Sequence, residues 1–158
     1  MADRIAIASD HAAVEMKTQL AAYLREQGHD VLDLGTTGGE SVDYPDFGYR
    51  LAAAIAAGDA ARGVALCGSG IGISISVNRN PACRCALVSE GLSARLSREH
   101  NDANVIALGA RLIGVEQAKA CVAAFLATPF GGTDEGTKGR HERRVAKLSH
   151  PRFAKEHV

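Results

Sequence analysis

Short apolar runs alternate with amphipathic stretches along most of the chain, which predicts strands interleaved with helices. Arg4–Ser9 (RIAIAS) is an apolar run of strand length, and Asp10 behind it is a residue type that caps helix N-termini. From Ala13 to Gln27, Met16, Leu20, Tyr23 and Leu24 recur at i, i+4, i+7 and i+8, with Glu15, Thr18, Gln19 and Glu26 on the other face. Gly28 closes that helix. Val31–Leu34 is a second strand, ended by the turn-rich Gly35–Gly39, and Phe47–Ala57 is an Ala-rich helix. Gly63–Cys67 is a third strand, and a glycine loop leads from it into a short helix. Cys85–Val88 and Val105–Leu108 are further strands, separated by a helix around Leu92–His100. Val115, Ala118, Val122, Phe125 and Leu126 mark another amphipathic helix. The linker-like Pro129–Lys138 detaches a basic helix, Gly139–Ser149, too short for a domain and suited to an arm laid on something else.

Strands this short, interleaved with helices, imply a mainly parallel sheet covered on both faces. Right-handed crossovers then give an α/β fold, a doubly wound, Rossmann-like three-layer sandwich around a five-stranded sheet. The whole of 1–158 reads as a single domain, with 139–149 as its helical arm.

Composition narrows the function. Hydrophobic residues make up 46% of the chain, which excludes disorder as its main character. Eighteen Lys and Arg balance eighteen Asp and Glu, so no global field draws the molecule to nucleic acid or anionic lipid. Aromatics are 4% with no Trp, which argues against base stacking. No apolar run approaches a membrane span, and Met1-Ala2-Asp3-Arg4 leads straight into a strand, so the expectation is a cytoplasmic protein without signal peptide or anchor. Cys67, Cys83, Cys85 and Cys121 read as reduced thiols. Cys83-x-Cys85 lacks metal-site spacing, and no metal or cofactor is expected.

In open α/β sheets ligands gather outside the carboxyl ends of the strands, and the polar residues that matter are expected there. The first strand ends in Ser9-Asp10-His11 and the third in Cys67 and the glycine loop; His100-Asn101-Asp102 stands just before the fifth, and Arg111 follows it. Gly68-Ser69-Gly70-Ile71-Gly72 is either a tight turn or a nest of amides for a phosphate or an oxyanion. It is not the dinucleotide fingerprint, because Ile73 occupies the third-glycine position, and no P-loop lysine is present, Thr137 standing in its place. Cys67 is either a small buried strand residue or a thiol whose ionisation a helix N-terminus favours, fit to move a proton. His100 and Asn101 are a solvated helix end or part of a site. Arg140 and Arg144, at i and i+4, are a solvated basic face or a phosphate clamp.

Several segments together resemble type B ribose-5-phosphate isomerases. They are Ile7–His11, Asp43-Tyr44-Pro45, Cys67–Ser74, Ser97–Val105, Leu108–Arg111 and Gly139–Val145, in order along nearly the whole chain. The resemblance implies an aldose–ketose isomerase of carbohydrate metabolism, interconverting ribose 5-phosphate and ribulose 5-phosphate through an enediolate. On that pattern Cys67 is the base moving the proton between C1 and C2, and His100 is the acid that opens the furanose. Gly68, Ser69, Gly70, Ile71 and Gly72 form the hole for the enediolate oxygen. Asp10, Tyr44 and Asn101 hold sugar hydroxyls, and His11, Arg111, Arg140 and Arg144 hold the phosphate. Some relatives carry a glutamate base just after the loop, where this chain has Ile73. The family pattern is a homodimer with shared sites, and the sequence leaves dimer and tetramer both open. Ser69 replaces a threonine of many relatives, and Gly131–Lys138 is longer and richer in glycine than the pattern. Relatives act on tetrulose 4-phosphates, or on hexose 6-phosphates such as galactose 6-phosphate, with the same machinery. A sugar-phosphate-binding protein without catalysis is the reading from another class, and it has no use for a thiol at Cys67.

Overall fold

A computed structural model describes residues 3–132, 136 and 139–152. Its elements follow in chain order: β1 (Arg4–Ser9), α1 (Val14–Glu26), β2 (Asp30–Asp33), α2 (Tyr44–Ala57), β3 (Arg62–Cys67), α3 (Ile71–Val77), β4 (Cys85–Leu87), α4 (Gly91–Asn101), β5 (Val105–Gly109), α5 (Val115–Ala127) and α6 (Arg140–Ser149). The five strands form one sheet in the order β2-β1-β3-β5-β4, and every pairing is parallel. The order reverses beside β1, which creates a crevice between the carboxyl ends of β1 and β3.

Side-chain alternation sorts the two layers. Ile5, Ile7, Val64, Leu66, Ile106 and Leu108 face α1, α4 and α5, where Leu20, Leu24, Val122 and Phe125 complete a fully buried core. On the other face the strands carry mostly small residues, Ala6, Ala8, Ala65, Cys67 and Ala107, against Phe47 and Leu51 of α2 and Ile73 and Val77 of α3. Small strand residues let α2 and α3 lie close to the sheet and to each other. A Cβ on Gly48 would stand 2.0 Å from Ser76 Oγ and 3.0 Å from Ser76 Cβ.

Helix α2 begins three residues before the expected Phe47, because Pro45 sits in the first turn, where its missing N–H costs nothing. Asp10 caps a short 3-10 turn, His11–Ala13, that precedes α1, its Oδ1 accepting the Ala12 N–H at 3.0 Å. Gly139 (φ +68°) opens α6, while Thr133–Glu135, Thr137 and Lys138 of the glycine-rich lead-in lie outside the described residues. No helix among the described residues is long and apolar enough to cross a membrane.

Lys17, 1% exposed, donates to both Asp33 oxygens at 2.6 and 2.7 Å, and Asp33 Oδ1 also accepts the Gly35 N–H at 2.9 Å. Gly35 O in turn accepts the Ser9 N–H at 2.7 Å, so an ion pair buried at its lysine end fixes the loop after β2 against the end of β1.

Gly48→Ala tests the close approach of α2 and α3. Alanine favours a helix over glycine by ~1 kcal/mol, but Ser76 Oγ is buried and donates to Ile73 O at 2.8 Å, a bond that it would give up in turning away, and its Cβ stays 3.0 Å from the new methyl. Overpacking of roughly 1–3 kcal/mol prevails. Denaturant unfolding is expected to show Gly48→Ala destabilised, with part of the loss recovered when Ser76→Ala removes the hydroxyl.

Candidate active site

At the carboxyl end of the sheet the chain gathers Asp10, His11, Tyr44, Cys67, the loop Gly68–Gly72 and Arg111. Asp10 is 6% exposed, and its backbone N–H donates to Leu66 O at 3.2 Å, which seats it one residue from Cys67 on the neighbouring strand. His11 Nδ1 accepts the Val42 N–H at 3.1 Å. That bond ties the end of β1 to the segment that delivers Tyr44. The Tyr44 ring covers Gly72 so closely that a Cβ there would meet ring carbons at 2.5 Å to 3.0 Å. Glycine at that position is a condition for the tyrosine to lie over the loop.

The loop is locked from beneath by β5. A Cβ on Gly109 would fall 2.6 Å from the Ser69 backbone, and Gly70 (φ +76°) has Leu108 and Gly109 backbone atoms within 3.1 Å of where its own would stand. Ala110 and Arg111 N–H groups donate to Cys67 O and Gly68 O, both at 2.9 Å. Inside the turn the Gly70 N–H points at Cys67 Sγ at 3.1 Å, and the Ile71 N–H donates to Ser69 Oγ at 3.2 Å. An N–H aimed at sulfur gives negative charge there a partner. The exposed Arg111 side chain runs beside Gly68. This group therefore presents a thiol, a rigid amide turn, a carboxylate, an imidazole, a phenol and a guanidinium.

His100 and Asn101 are not there. The expectation that they join the carboxyl-end residues is corrected by the fold: they end α4, which delivers the chain to the amino end of β5. Asn104 O accepts the Gly63 N–H at 2.9 Å at the start of β3, whereas Cys67 is its last residue. From Gly63 to Cys67 is roughly 13 Å at ~3.3 Å per residue. His100 instead stacks on His141 of α6, with ring centroids 4.3 Å apart and planes 8° from parallel. His100, Asn101, Arg140 and Arg144 are all exposed, so this second group offers an imidazole and an amide at the end of α4 and two guanidiniums on α6. One chain thus brings the expected residues together as two groups at opposite ends of the sheet.

Sequence reasoning missed the residues that hold the second group. Arg98 is 7% exposed and donates to Asp102 Oδ1 and Ala103 O, both at 2.7 Å, and to Thr128 O at 3.2 Å. Arg84 reaches Asp102 Oδ2 at 3.0 Å. Asp102 sits at φ +45°, the left-handed cap that ends α4 just after Asn101. The i, i+4 spacing of Arg98 and Asp102 was the available signal. Beside this network a cavity of about 480 Å³ opens, lined in part by Arg84, Cys85, Asn101 and Leu148.

The remaining thiols do not suit proton transfer. Burial pushes Cys83 up to about 11 and also raises Cys85 and Cys121, so all three stay protonated at neutral pH. Ile73 is fully buried against the face that carries Cys67. Among the described residues no group of His, Cys, Asp and Glu is arranged to hold a metal ion.

Comparison with known proteins gives the chain its family. A family model described as Ribose/Galactose Isomerase matches residues 5–148. The chain is 40% identical to ribose-5-phosphate isomerase B of Escherichia coli, over 92% of this chain and 94% of that one. It is 42% identical to D-erythrulose-4-phosphate isomerase of Pectobacterium atrosepticum, over 85% and 89% of the two chains. A crystal structure of a ribose 5-phosphate isomerase from Thermotoga maritima superposes with a TM-score of 0.87 at 47% identity, covering 93% of this chain and 97% of that one.

Proposed function

The chain belongs to the Ribose/Galactose Isomerase family, and on that premise we propose that it interconverts ribose 5-phosphate and ribulose 5-phosphate through an enediolate. The observation that carries this reading is the Cys67 thiol set inside a rigid amide turn, with Asp10, His11, Tyr44 and Arg111 around it. His100 protonates the ring oxygen as the bond from C1 to that oxygen breaks, and it recovers a proton from the C1 hydroxyl, which leaves the open-chain aldehyde and the imidazole in its starting state. Cys67, as thiolate, takes the proton from C2, and the electron pair flows onto the C1 oxygen. Amides of Gly68–Gly72 and the Ser69 hydroxyl hold that charge where it develops. The O2 proton passes to O1, and Cys67 returns its own proton to C1 to give the ketose. Atoms and charge balance without an external electron acceptor.

Asp10, Tyr44 and Asn101 are assigned to the sugar hydroxyls, and His11, Arg111, Arg140 and Arg144 to the phosphate. Binding the phosphate far from the reacting carbons supplies free energy to position them. Because the acid and two of the arginines lie a strand length from Cys67, the reading requires a homodimer in which each site takes His100, Asn101, Arg140 and Arg144 from the other subunit. Two-fold symmetry then completes two sites at once. A four-carbon substrate is the second reading, favoured by the similarity to the erythrulose-phosphate relative. An isomerisation assay across tetrose, pentose and hexose phosphates separates the substrates, and inactivity on all of them would leave the binding-protein reading.

Three outcomes are expected. Cys67→Ala should lose C2 proton exchange by the roughly 10²–10⁴-fold that a general base contributes, with substrate binding nearly intact. Near-normal turnover would assign the base elsewhere. His100→Asn should depress turnover of cyclic ribose 5-phosphate far more than that of open-chain ribulose 5-phosphate, since only the former needs ring opening. Equal losses would move His100 into the proton transfer itself or into the fold.

Subunit mixing tests the shared site. Arg144→Ala should weaken substrate binding roughly tenfold or more. Mixed with Cys67→Ala subunits, it forms heterodimers in which one site carries both lesions and the other neither, so activity rises to about half per dimer. No gain on mixing would place α6 over its own subunit's site.

A further inference from the structure

We propose that His141 is a positioning residue for the ring-opening acid. Its imidazole seats His100 in one orientation and couples that orientation to capture of the substrate phosphate by α6. The proposal rests on the isomerase reading above and extends it to a residue to which that mechanism assigns no part.

His100 occupies the last turn of α4 with its side chain exposed, a setting in which an imidazole samples several rotamers. Against that tendency stands one flat contact, the near-parallel stack on His141 at 4.3 Å. His141 is 6% exposed and is the one buried residue of α6, a helix otherwise made mostly of exposed charged and polar side chains. The helix therefore docks chiefly through His141, laid on the acid, with half-buried Val145 one turn later on the same face. A stacked ring restrains the plane of its partner but leaves both of that partner's nitrogens at the edge, free to reach a substrate oxygen.

The neighbours of His141 supply the coupling. Arg140 precedes it and Arg144 follows three residues later, both exposed, on the flank of the helix beside the stacked face. A phosphate clasped by these two arginines pulls on the helix that carries His141. Seating α6 presses His141 onto His100, so the acid is ordered where and when the phosphate is held. The lead-in is tied down at its near end by the Gly131 N–H donating to Glu99 O at 3.0 Å, next to His100 on α4. Docking of α6 and placement of His100 are thus one local event at the end of α4.

The test compares His141→Ala with His141→Phe, which retains a planar ring at the same place. Turnover is measured from cyclic ribose 5-phosphate and from open-chain ribulose 5-phosphate, alongside the melting temperature and the imidazole proton resonances of His100. His141→Ala should lose roughly tenfold or more on the cyclic aldose, the scale on which small misplacements of a catalytic group act, and far less on the ketose. The upfield ring-current shift of the His100 protons should vanish with it. His141→Phe should restore most of the turnover and the shift. In the His100→Asn background His141→Ala should add no further loss on the cyclic substrate. Equal losses on both substrates, or losses that multiply with those of His100→Asn, would overturn the proposal. So would a fall in melting temperature with an unchanged His100 resonance. Absence of isomerase activity in the unaltered protein would instead overturn the reading on which the proposal rests.

Discussion

A parallel sheet has two unlike ends, and its strands hold them apart. Residues that follow a strand gather at the carboxyl end, and residues that precede one gather at the amino end. In this chain the thiol, the amide turn and Arg111 follow β3 and β5, whereas His100 and Asn101 precede β5. No loop rearrangement of ordinary size closes a gap of roughly 13 Å set by the ladder between these strands. The ladder is also the most protected part of the molecule, since every residue of β5 and all but the first of β3 are buried. The groups proposed for the chemistry are therefore divided before any side chain is considered, and the proposed dimer, its exchanged arm and its paired sites follow from that division.

Within the carboxyl-end half, precision comes from small residues rather than from bonds made by large ones. Gly72 admits the Tyr44 ring, Gly109 admits the Ser69 backbone, and Gly48 admits Ser76. Each close approach pins one layer against the next, and an added methyl group meets backbone, ring or buried side-chain atoms with little room to retreat. The amino-end half is held differently, by the charged bonds of Arg98, Arg84 and Asp102 around the end of α4. Removing one partner of such a partly buried network leaves the other's charge poorly solvated, which costs more than the pair contributes by forming. The two halves thus fail differently under mutation, one by steric displacement and the other by electrostatic orphaning.

Periodicity made the elements legible to within three residues, because each strand and helix buries one face and the burial pattern is written in the side chains. The start of α2 was misjudged where Pro45 masked the first turn, since proline reads as a stop unless its place at N1 or N2 is known. Strand order was not legible. Nothing in the run Cys85–Leu87 says that β5 will insert between it and β3, because order depends on which helices fit over which strands. The position of His100 was legible in principle: a residue just before a strand cannot share an end with residues that follow one. Residue type alone groups it with Cys67, and chain direction separates the two. His141 lay inside a motif noticed for its arginines, and its burial on a basic helix shows only in three dimensions.

Exposed apolar side chains now acquire a place. Tyr44, Ile71, Leu87 and Leu112 are 41%, 51%, 46% and 66% exposed, and each sits beside or within two residues of the group at the carboxyl end of the sheet. A lone exposed leucine needs no explanation, but a rim of large apolar groups around a polar cleft marks a surface that another surface covers. An enediolate also requires such a cover, since water admitted to the thiol would protonate the intermediate at random and weaken every dipole aimed at it. A partner that brings His100 and the arginines of α6 to the cleft would lay its surface on that rim as it does so. On the proposed reading, completion of the catalytic set and exclusion of water then come from a single association.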